Sequence, residues 1–487
     1  MGGKTINFLL IYPPIDNSFI DKNSDLPVFK GLAPPLGLLY IAKILEKEKD
    51  IVTILDFSAE NFDEKKLNDV VKTADVIGIT ILTTTLPNSI EIIKLVKKTK
   101  PQIKVIIGGP HCTLVPKKAM EETQADICVQ GDGEQVITSI KKAMAGEISF
   151  SEIPGIYYRE NNMIKEGAPL QLIQDLDTIP FPSRDLVKKY IYGREYNPKI
   201  KRGEFTSIIT SRGCPFNCKF CSRNSVSMKT FRVRSAKNVL EELKEIHKQG
   251  YKYVAFVDDN FLCNKKQAHE IFDEIIRQKL SIKIIIFGAR VDAAEEELFK
   301  KMKKAGVTHI YFGLESGNQD VLDFYNKKTT LDKIRYAVNL SHKVGFFNVG
   351  SFILGAPIET KEHFERTIKF AKSLPLDSVS FLHLKYVAGS DLWYEAISKG
   401  KISDNDYSIQ VGSEKGLSSF SRREIEKYCI KASRNYYLRP RFILGLLIKS
   451  LKNDDLGFLQ SYISIFFSDI KNVFKSSGKL QDIKKGS

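Results

Sequence analysis

Three cysteines on one short stretch, Cys214, Cys218 and Cys221, carry the clearest chemical signal in the chain. They stand in Ser211-Arg-Gly-Cys-Pro-Phe-Asn-Cys-Lys-Phe-Cys-Ser222 as a C-x3-C-x2-C array. Three thiolates on one loop can hold three irons of a 4Fe-4S cluster and leave the fourth iron without a protein ligand. An open iron can bind and reduce a small molecule instead of only relaying electrons. Gly213 and Pro215 suit a loop wrapped closely around inorganic sulfide. Phe216 and Phe220 would shield the cluster and tune its potential through burial. A structural zinc site ordinarily takes paired cysteine elements with a fourth Cys or His close by. No second pair exists among the seven cysteines of the 487 residues.

The elements that must hold this loop read as alternating strands and helices. Thr206–Thr210 is a strand that delivers the cysteines. Further strands are predicted at Tyr253–Val257, Ile282–Phe287, His309–Phe312, Asn348–Leu354 and Ser378–His383, separated by helical patterns. Six parallel βα units predict a partial (β/α)6 barrel over 201–400, with active residues at strand C-termini. The polar groups there are Asp258-Asp259-Asn260, Arg290, Gly313-Leu-Glu315-Ser-Gly317 and Gly355-Ala-Pro357. Cys263, close behind the Asp pair, reads as an ordinary buried thiol.

This region resembles the radical S-adenosylmethionine (SAM) superfamily over about 200 residues. Cys214, Cys218, Phe220 and Cys221 match its cysteine signature, and Gly313, Glu315, Ser316 and Gly317 match a G-x-E-S-G segment. Asp258–Phe261 matches a D-D-x-F element, and Leu354–Thr360 resembles a G-x-P-x-E-T segment. The family's later P-G-T element stands here as Ala388-Gly389-Ser390, a departure on the substrate side. Physically, Glu315 or Asp259 could meet the ammonium or ribose of SAM, and Arg290 its carboxylate. Backbone about Gly355 could flank adenine. A rim salt bridge is the competing role for each charged residue.

Residues 1–150 carry five βα units, with strands at Ile6–Tyr12, Ile51–Asp56, Val76–Leu82, Val105–Gly108 and Ile127–Gln130. The pattern predicts a doubly wound, flavodoxin-like parallel sheet whose ligand lies beyond the strand C-termini. Gly108-Gly109 and the Gly131/Gly133 loop permit close backbone approach, but neither matches G-x-G-x-x-G, which disfavours a dinucleotide. Together these features resemble a cobalamin-binding domain. Thr80-x-Leu82 and Gly108-Gly109 stand in similar register, and Gly37 occupies the first motif's glycine position. The motif's aspartate and histidine positions hold Leu32 and Pro34, so no histidine there can ligate cobalt from below. Cobalamin-dependent radical enzymes share this departure, and their P-P-x-G-L and G-G-P-H segments are matched by Pro34–Leu38 and Gly108–His111. The resemblance implies a cobalamin site including Pro35, Gly37, Thr80, Leu82, Gly108, Gly109, His111, Gly131 and Glu134. The alternative is a flavodoxin-like domain that binds nothing.

Residues 151–200 read as a Pro-punctuated linker with a hairpin at 157–165. Residues 401–487 predict a helical region at Arg422–Tyr437, Pro440–Lys452 and Leu456–Phe474. From Lys431 onward eleven Lys/Arg face four Asp beside many large apolar residues. Such a face fits a helical cap on the barrel or a peripheral membrane contact through 430–475.

The formal charge of +16 is compatible with anionic cofactors, lipid or nucleic acid. No RNA-binding module is readable, so no nucleic acid is expected. Cysteine usage fits a reducing cytosol. The start of the chain runs directly into a strand, which predicts no secretory leader. No apolar run approaches the roughly 20 residues needed to span a bilayer. The expected location is cytoplasmic, with membrane association open.

The resemblance implies a cobalamin-dependent radical SAM enzyme. A reduced cluster cleaves SAM to a 5′-deoxyadenosyl radical that activates an unactivated carbon for C-methylation. The substrate would be a small molecule or lipid, with an external one-electron reductant. A radical cyclase or oxidoreductase on a lipid or tetrapyrrole-like substrate is the nearest alternative. A non-catalytic cobalamin sensor is the alternative from another class, and the open-iron array argues against it.

Overall fold

The computed structural model describes residues 5–15, 31–440, 442–445 and 448. The first sheet has seven strands in the order β2-β1-β3-β4-β5-β6-β7. These are β1 (Asn7–Tyr12), β2 (Ile51–Asp56), β3 (Val76–Thr80), β4 (Lys104–Gly108), β5 (Ile127–Val129), β6 (Ile156–Glu160) and β7 (Met163–Glu166). β1 to β5 are parallel, and β6–β7 is an antiparallel hairpin laid on β5. The hairpin placed in the connector therefore extends the first sheet. Its register brings Tyr158, which is buried, opposite Ile127.

Helices α1 (Leu36–Lys47), α2 (Glu64–Thr73), α3 (Leu86–Thr99), α4 (Pro110–Leu114), α5 (Pro116–Thr123) and α6 (Gly133–Met144) follow the strands. The central strands are nearly all apolar because helices cover both faces. Leu9, Ile11 and Ile77 join one buried cluster, and Phe8, Leu10 and Val76 join another.

The second sheet is six-stranded and wholly parallel, in the order β15-β14-β13-β12-β11-β8. Its strands are β8 (Phe205–Ile208), β11 (Tyr253–Phe256), β12 (Lys283–Ala289), β13 (Val307–Glu315), β14 (Phe347–Leu354) and β15 (Ser378–His383). Between β8 and β11 lies a two-stranded ribbon, β9 (Ser211–Arg212) with β10 (Arg232–Val233), enclosing the cysteine loop and the short helix α7 (Arg223–Val226). α8 (Ala236–Lys248), α9 (Lys265–Arg277), α10 (Glu296–Lys304), α11 (Gln319–Phe324), α12 (Leu331–Val344) and α13 (Lys361–Ser373) follow. This is the expected mixed α/β architecture.

The two sheets share a core. Phe205, Ala255 and Ile285 of the second sheet belong to the same buried cluster as Phe8, Leu10 and Ile54 of the first. The connector supplies the mortar. Tyr192 donates to the buried Asp56 carboxylate at 2.7 Å, and Tyr196 packs on Phe205, Phe287 and Tyr311 inside the curved sheet. Burial raises the pKa of Asp56, and the hydrogen bonds from Ser58 and Tyr192 oppose that rise without cancelling it.

After α14 (Asp391–Ser398), α15 (Arg422–Tyr437) packs along β15, with Tyr436 donating to the Leu376 carbonyl and Tyr437 to that of Val379, both at 2.7 Å. The helices expected over 440–452 and 456–474 lie largely outside the described residues, as does most of 430–475. Among the described residues no helix is long and apolar enough to cross a membrane.

Candidate functional site

The cysteine loop is closed at its base by the β9–β10 ribbon and held from inside by Arg290. That guanidinium lies 3.6 Å from the Cys218 sulfur, stacks 3.7 Å from the Phe216 ring centroid, and donates to Asp292 at 2.6 Å and to the Lys327 carbonyl at 2.5 Å. Its donors are thus committed to the loop's own scaffold, which weakens the expected role toward a SAM carboxylate. Cys218 is buried, and Cys214 and Cys221 are partly exposed. Burial raises the Cys218 thiol, while the charges of Lys327 and Arg290 pull it down. Burial also takes Cys221 up to about 11. Iron binding works against that burial, because the ligand is the thiolate.

Glu315, expected to meet SAM, is buried and paired with Lys327 at 2.6 Å. Its φ of +62° is rare for a residue with a side chain and marks a position held by its surroundings. Asp259 meets Arg223 at 3.3 Å. Phe220 rests its ring on Tyr325 at 5.1 Å. Gly355, at φ +110°, gives its N–H to Glu359, as does Ala356, each at 2.7 Å.

Three side chains here had no individual role from the sequence, Asp258 and Asn260 standing only as members of the D-D-x-F element and Lys327 in no motif at all. Asp258 accepts from Thr210 and Ser211 through one oxygen, leaving the other buried without a partner. Asn260 is buried with both amide atoms unpartnered. Lys327 is a buried lysine in an Asn-Lys-Lys-Thr run that no motif distinguishes. Orphaned polar atoms of this kind, beside the cysteine loop, are what a polar ligand would satisfy. The residues therefore fit a cluster with bound SAM. Among the described residues no three His, Cys, Asp or Glu side chains group as a single metal ion would need.

A cavity of about 380 Å³ opens between the two sheets. From the first sheet it is lined by Tyr12, Ser58, Thr80, Leu82 and the Gly31–Leu38 segment, and from the second by Ser207, Arg223 and Val257. Four residues expected at a cobalamin site, Pro35, Gly37, Thr80 and Leu82, line it together. A side chain at Gly37 would meet nothing within 4 Å, so that wall is open. Gly109, at φ +99°, lies so close behind Thr80 that an added Cβ would come 2.7 Å from its hydroxyl. Gly108 and Gly109 thus support the cavity wall from behind.

Other expected residues lie elsewhere. His111 is fully buried, edge-on to Tyr407 at 4.8 Å, and burial takes its pKa down to about 4, so the ring is neutral. Glu134 is paired with Arg212 at 2.5 Å, and Gly131 adjoins Leu170 and Leu172. The lining holds no His, Cys or Met among the described residues. Tyr12, whose phenol burial takes to about 12, stands there in neutral form. The open wall, the glycine-backed Thr80 and the unpartnered Ser207 hydroxyl suit a large polar cofactor.

The comparisons with known proteins meet this geometry. The model of the radical SAM superfamily matches residues 208–371, and that of the B12 binding domain matches 26–141. An uncharacterized methyltransferase of Pyrococcus horikoshii is 34% identical over 447 residues, covering 91% of this chain and 94% of its own. The chain is a cobalamin-dependent radical SAM enzyme. Its cofactors are SAM, a 4Fe-4S cluster and cobalamin. A cytidylyl-2-hydroxyethylphosphonate methyltransferase of Streptomyces wedmorensis is 26% identical, covering 83% of this chain and 86% of its own. Among solved structures, OxsB with aqua-cobalamin and SAM bound has a TM-score of 0.71 at 16% identity, covering 97% of this radical SAM enzyme and 76% of that chain. TsrM of Kitasatospora setae with cobalamin and a [4Fe-4S] cluster has a TM-score of 0.68 at 17% identity, covering 81% and 78%. At these identities the likeness is one of fold.

Proposed function

We propose that this radical SAM enzyme methylates a carbon of a small-molecule or lipid substrate, with Cys214, Cys218 and Cys221 holding the cluster. The supporting observation is the shared cavity, where Thr80 and Leu82 of the cobalamin-binding unit face Ser207, Arg223 and Val257 of the barrel and cysteine loop. One shared space suits direct transfer, because reacting groups held together avoid the entropic cost of a second encounter. When bound, the cofactors supply one-electron cleavage of SAM and a methyl carrier.

The chain's own part is positioning. Arg290 and Phe216 fix the cysteine loop, Lys327 and Arg290 place positive charge beside Cys218, and Asn260 and Asp258 offer polar atoms to SAM. The segment from Leu32 to Leu38 gives the cavity an apolar wall. An external one-electron donor completes the system. The methyltransferase of Pyrococcus horikoshii, at 34% identity over 91% of this chain, favours methyl transfer, while relatives named as magnesium-protoporphyrin IX monomethyl ester cyclases, at 29% and 26%, make ring formation the second reading.

The test is anaerobic reconstitution with iron, sulfide and hydroxocobalamin, followed by a strong reductant, methyl-labelled SAM and candidate lipid extracts. Labelled product together with 5′-deoxyadenosine and S-adenosylhomocysteine is expected. 5′-Deoxyadenosine with ring closure and no label transfer would instead establish a cyclase.

A further inference from the structure

The cysteine loop hangs from two arginines. Arg212 on β9 and Arg232 on β10 are directly opposite each other in the antiparallel ribbon, and all three cysteines lie between them in sequence. Like charges facing across a strand pair destabilise it. Here one carboxylate of the first unit stands against both. Arg212 reaches Asp132 at 2.7 Å and Glu134 at 2.5 Å, and Arg232 reaches Asp132 at 2.5 Å and the Ile173 carbonyl at 2.6 Å. The Asp132, Glu134 and Arg232 side chains are all under one-tenth exposed.

Asp132 occupies the N-cap position of α6, where an aspartate ordinarily accepts from its own helix's first N–H groups. It makes no such bond. Its carboxylate goes instead to the two guanidiniums and to the Ile173 N–H at 3.0 Å. Burial alone would raise its pKa, but the bond from Arg232 and the charges of both arginines outweigh that and lower it. Helix α1 reaches the same place, since the Arg212 guanidinium lies 5.7 Å from the ring of Tyr40, three residues beyond the cavity-lining Gly37. Both the α1 wall of the cavity and the Gly131–Gly133 turn therefore bear on the base of the cysteine loop.

We infer that Asp132 is a positioning residue: through Arg212 and Arg232 it ties the register of the cysteine loop to the cobalamin-binding unit, so that filling that unit tightens the loop that carries the cluster. Without the carboxylate, the buried Arg232 loses its counter-charge while Arg212 keeps only Glu134, and cobalamin binding is no longer transmitted. The inference rests on the assignment of the cluster to Cys214, Cys218 and Cys221 and of cobalamin to the first unit.

Hydrogen exchange over peptides within 213–231, in the anaerobically reconstituted enzyme with and without hydroxocobalamin, tests it. Iron and cobalt are quantified first, and failure of the wild type to load either overturns the site assignment and the linkage with it. In the loaded wild type, hydroxocobalamin is expected to slow exchange of the loop at least threefold. Asp132→Asn should still bind cobalamin by its visible absorbance yet lose that slowing, and Asp132→Glu should restore at least half of it. Arg232→Lys, which keeps the charge and loses the fork, reads the same effect if Asp132→Asn does not fold. A loop indifferent to cobalamin in the wild type overturns the inference. So does an Asp132→Asn enzyme that keeps the slowing, or one whose exchange merely rises uniformly across both units.

Discussion

Lys327 shows how much of this site depends on single charges. Its ammonium, 2.6 Å from the Glu315 carboxylate with both side chains buried, compensates a charge that could not otherwise remain there. Breaking a buried pair by removing one partner costs about 3–5 kcal/mol. Lys327→Met is therefore expected to destabilise the cofactor-free protein by about that amount in urea unfolding. Glu359 offers a different reading, through pH. Burial raises its pKa to about 7 although Gly355 and Ala356 both donate to it. A carboxyl whose folded pKa is raised stabilises the fold below its unfolded value, and that contribution is lost as pH rises toward the folded value. Stability should fall between about pH 4.5 and 7 by up to about 3 kcal/mol, and Glu359→Gln, which keeps the acceptor, should flatten that slope. Cys218→Ala should remove the cluster's visible absorbance and most of the bound iron. A full cluster in that variant would refute the ligand assignment.

At the scale of elements, the turn from β4 into α4 decides the cavity wall. Gly109 takes φ +99°, and an added Cβ would come 2.7 Å from Thr80 Oγ1 and 3.1 Å from the Ile81 backbone. Strained positions of this kind cost of order 1–3 kcal/mol, and here the strain pushes on Thr80, which lines the cavity. Gly109→Ala is expected to lower the thermal midpoint and reduce cobalt retained after gel filtration at least fivefold. Gly37→Ala, which would meet nothing within 4 Å, should leave the midpoint unchanged. Any loss of cobalt in that variant then reports on the cavity itself. The β9–β10 ribbon matters in the same way. It is only two residue pairs long, too short to hold itself together, so its closure depends on the side chains that grip it.

At the scale of the whole molecule, the cavity takes its walls from both sheets, so a ligand within it would touch both. Any ligand that binds only the folded state stabilises it by mass action, by about 2.7 kcal/mol at a hundred times its dissociation constant. Hydroxocobalamin should therefore raise the melting temperature by several degrees. Val257→Trp, a change in the barrel that fills the cavity from the far side, should at least halve that rise. An undiminished shift would mean that the barrel takes no part in holding cobalamin.

Local signals made the cysteine array, the two parallel sheets and the Pro34–Leu38 and Gly108–His111 segments legible in the sequence. Cysteine spacing, the alternation of apolar strands with amphipathic helices, and glycines at strand ends each depend on neighbours a few residues away. Contacts across long separations were not legible. Arg290 and Glu315 read either as ligands for SAM or as rim salt bridges, because an isolated charge at a strand end suits both. Only the fold shows them met by Asp292 and the Lys327 backbone and by the Lys327 ammonium, respectively. His111 read as part of a cofactor motif, and only the fold sets its ring against Tyr407, nearly 300 residues away in sequence. The hairpin read as part of a connector because nothing within it announces β5 as its partner. By itself the sequence determined the cluster chemistry, since that rests on cysteine type and spacing, while SAM and cobalamin came from the resemblance its short segments carry. The tertiary structure alone decided which charges remain free for a ligand and which are spent holding the two units together, because pairing between distant groups is set by packing.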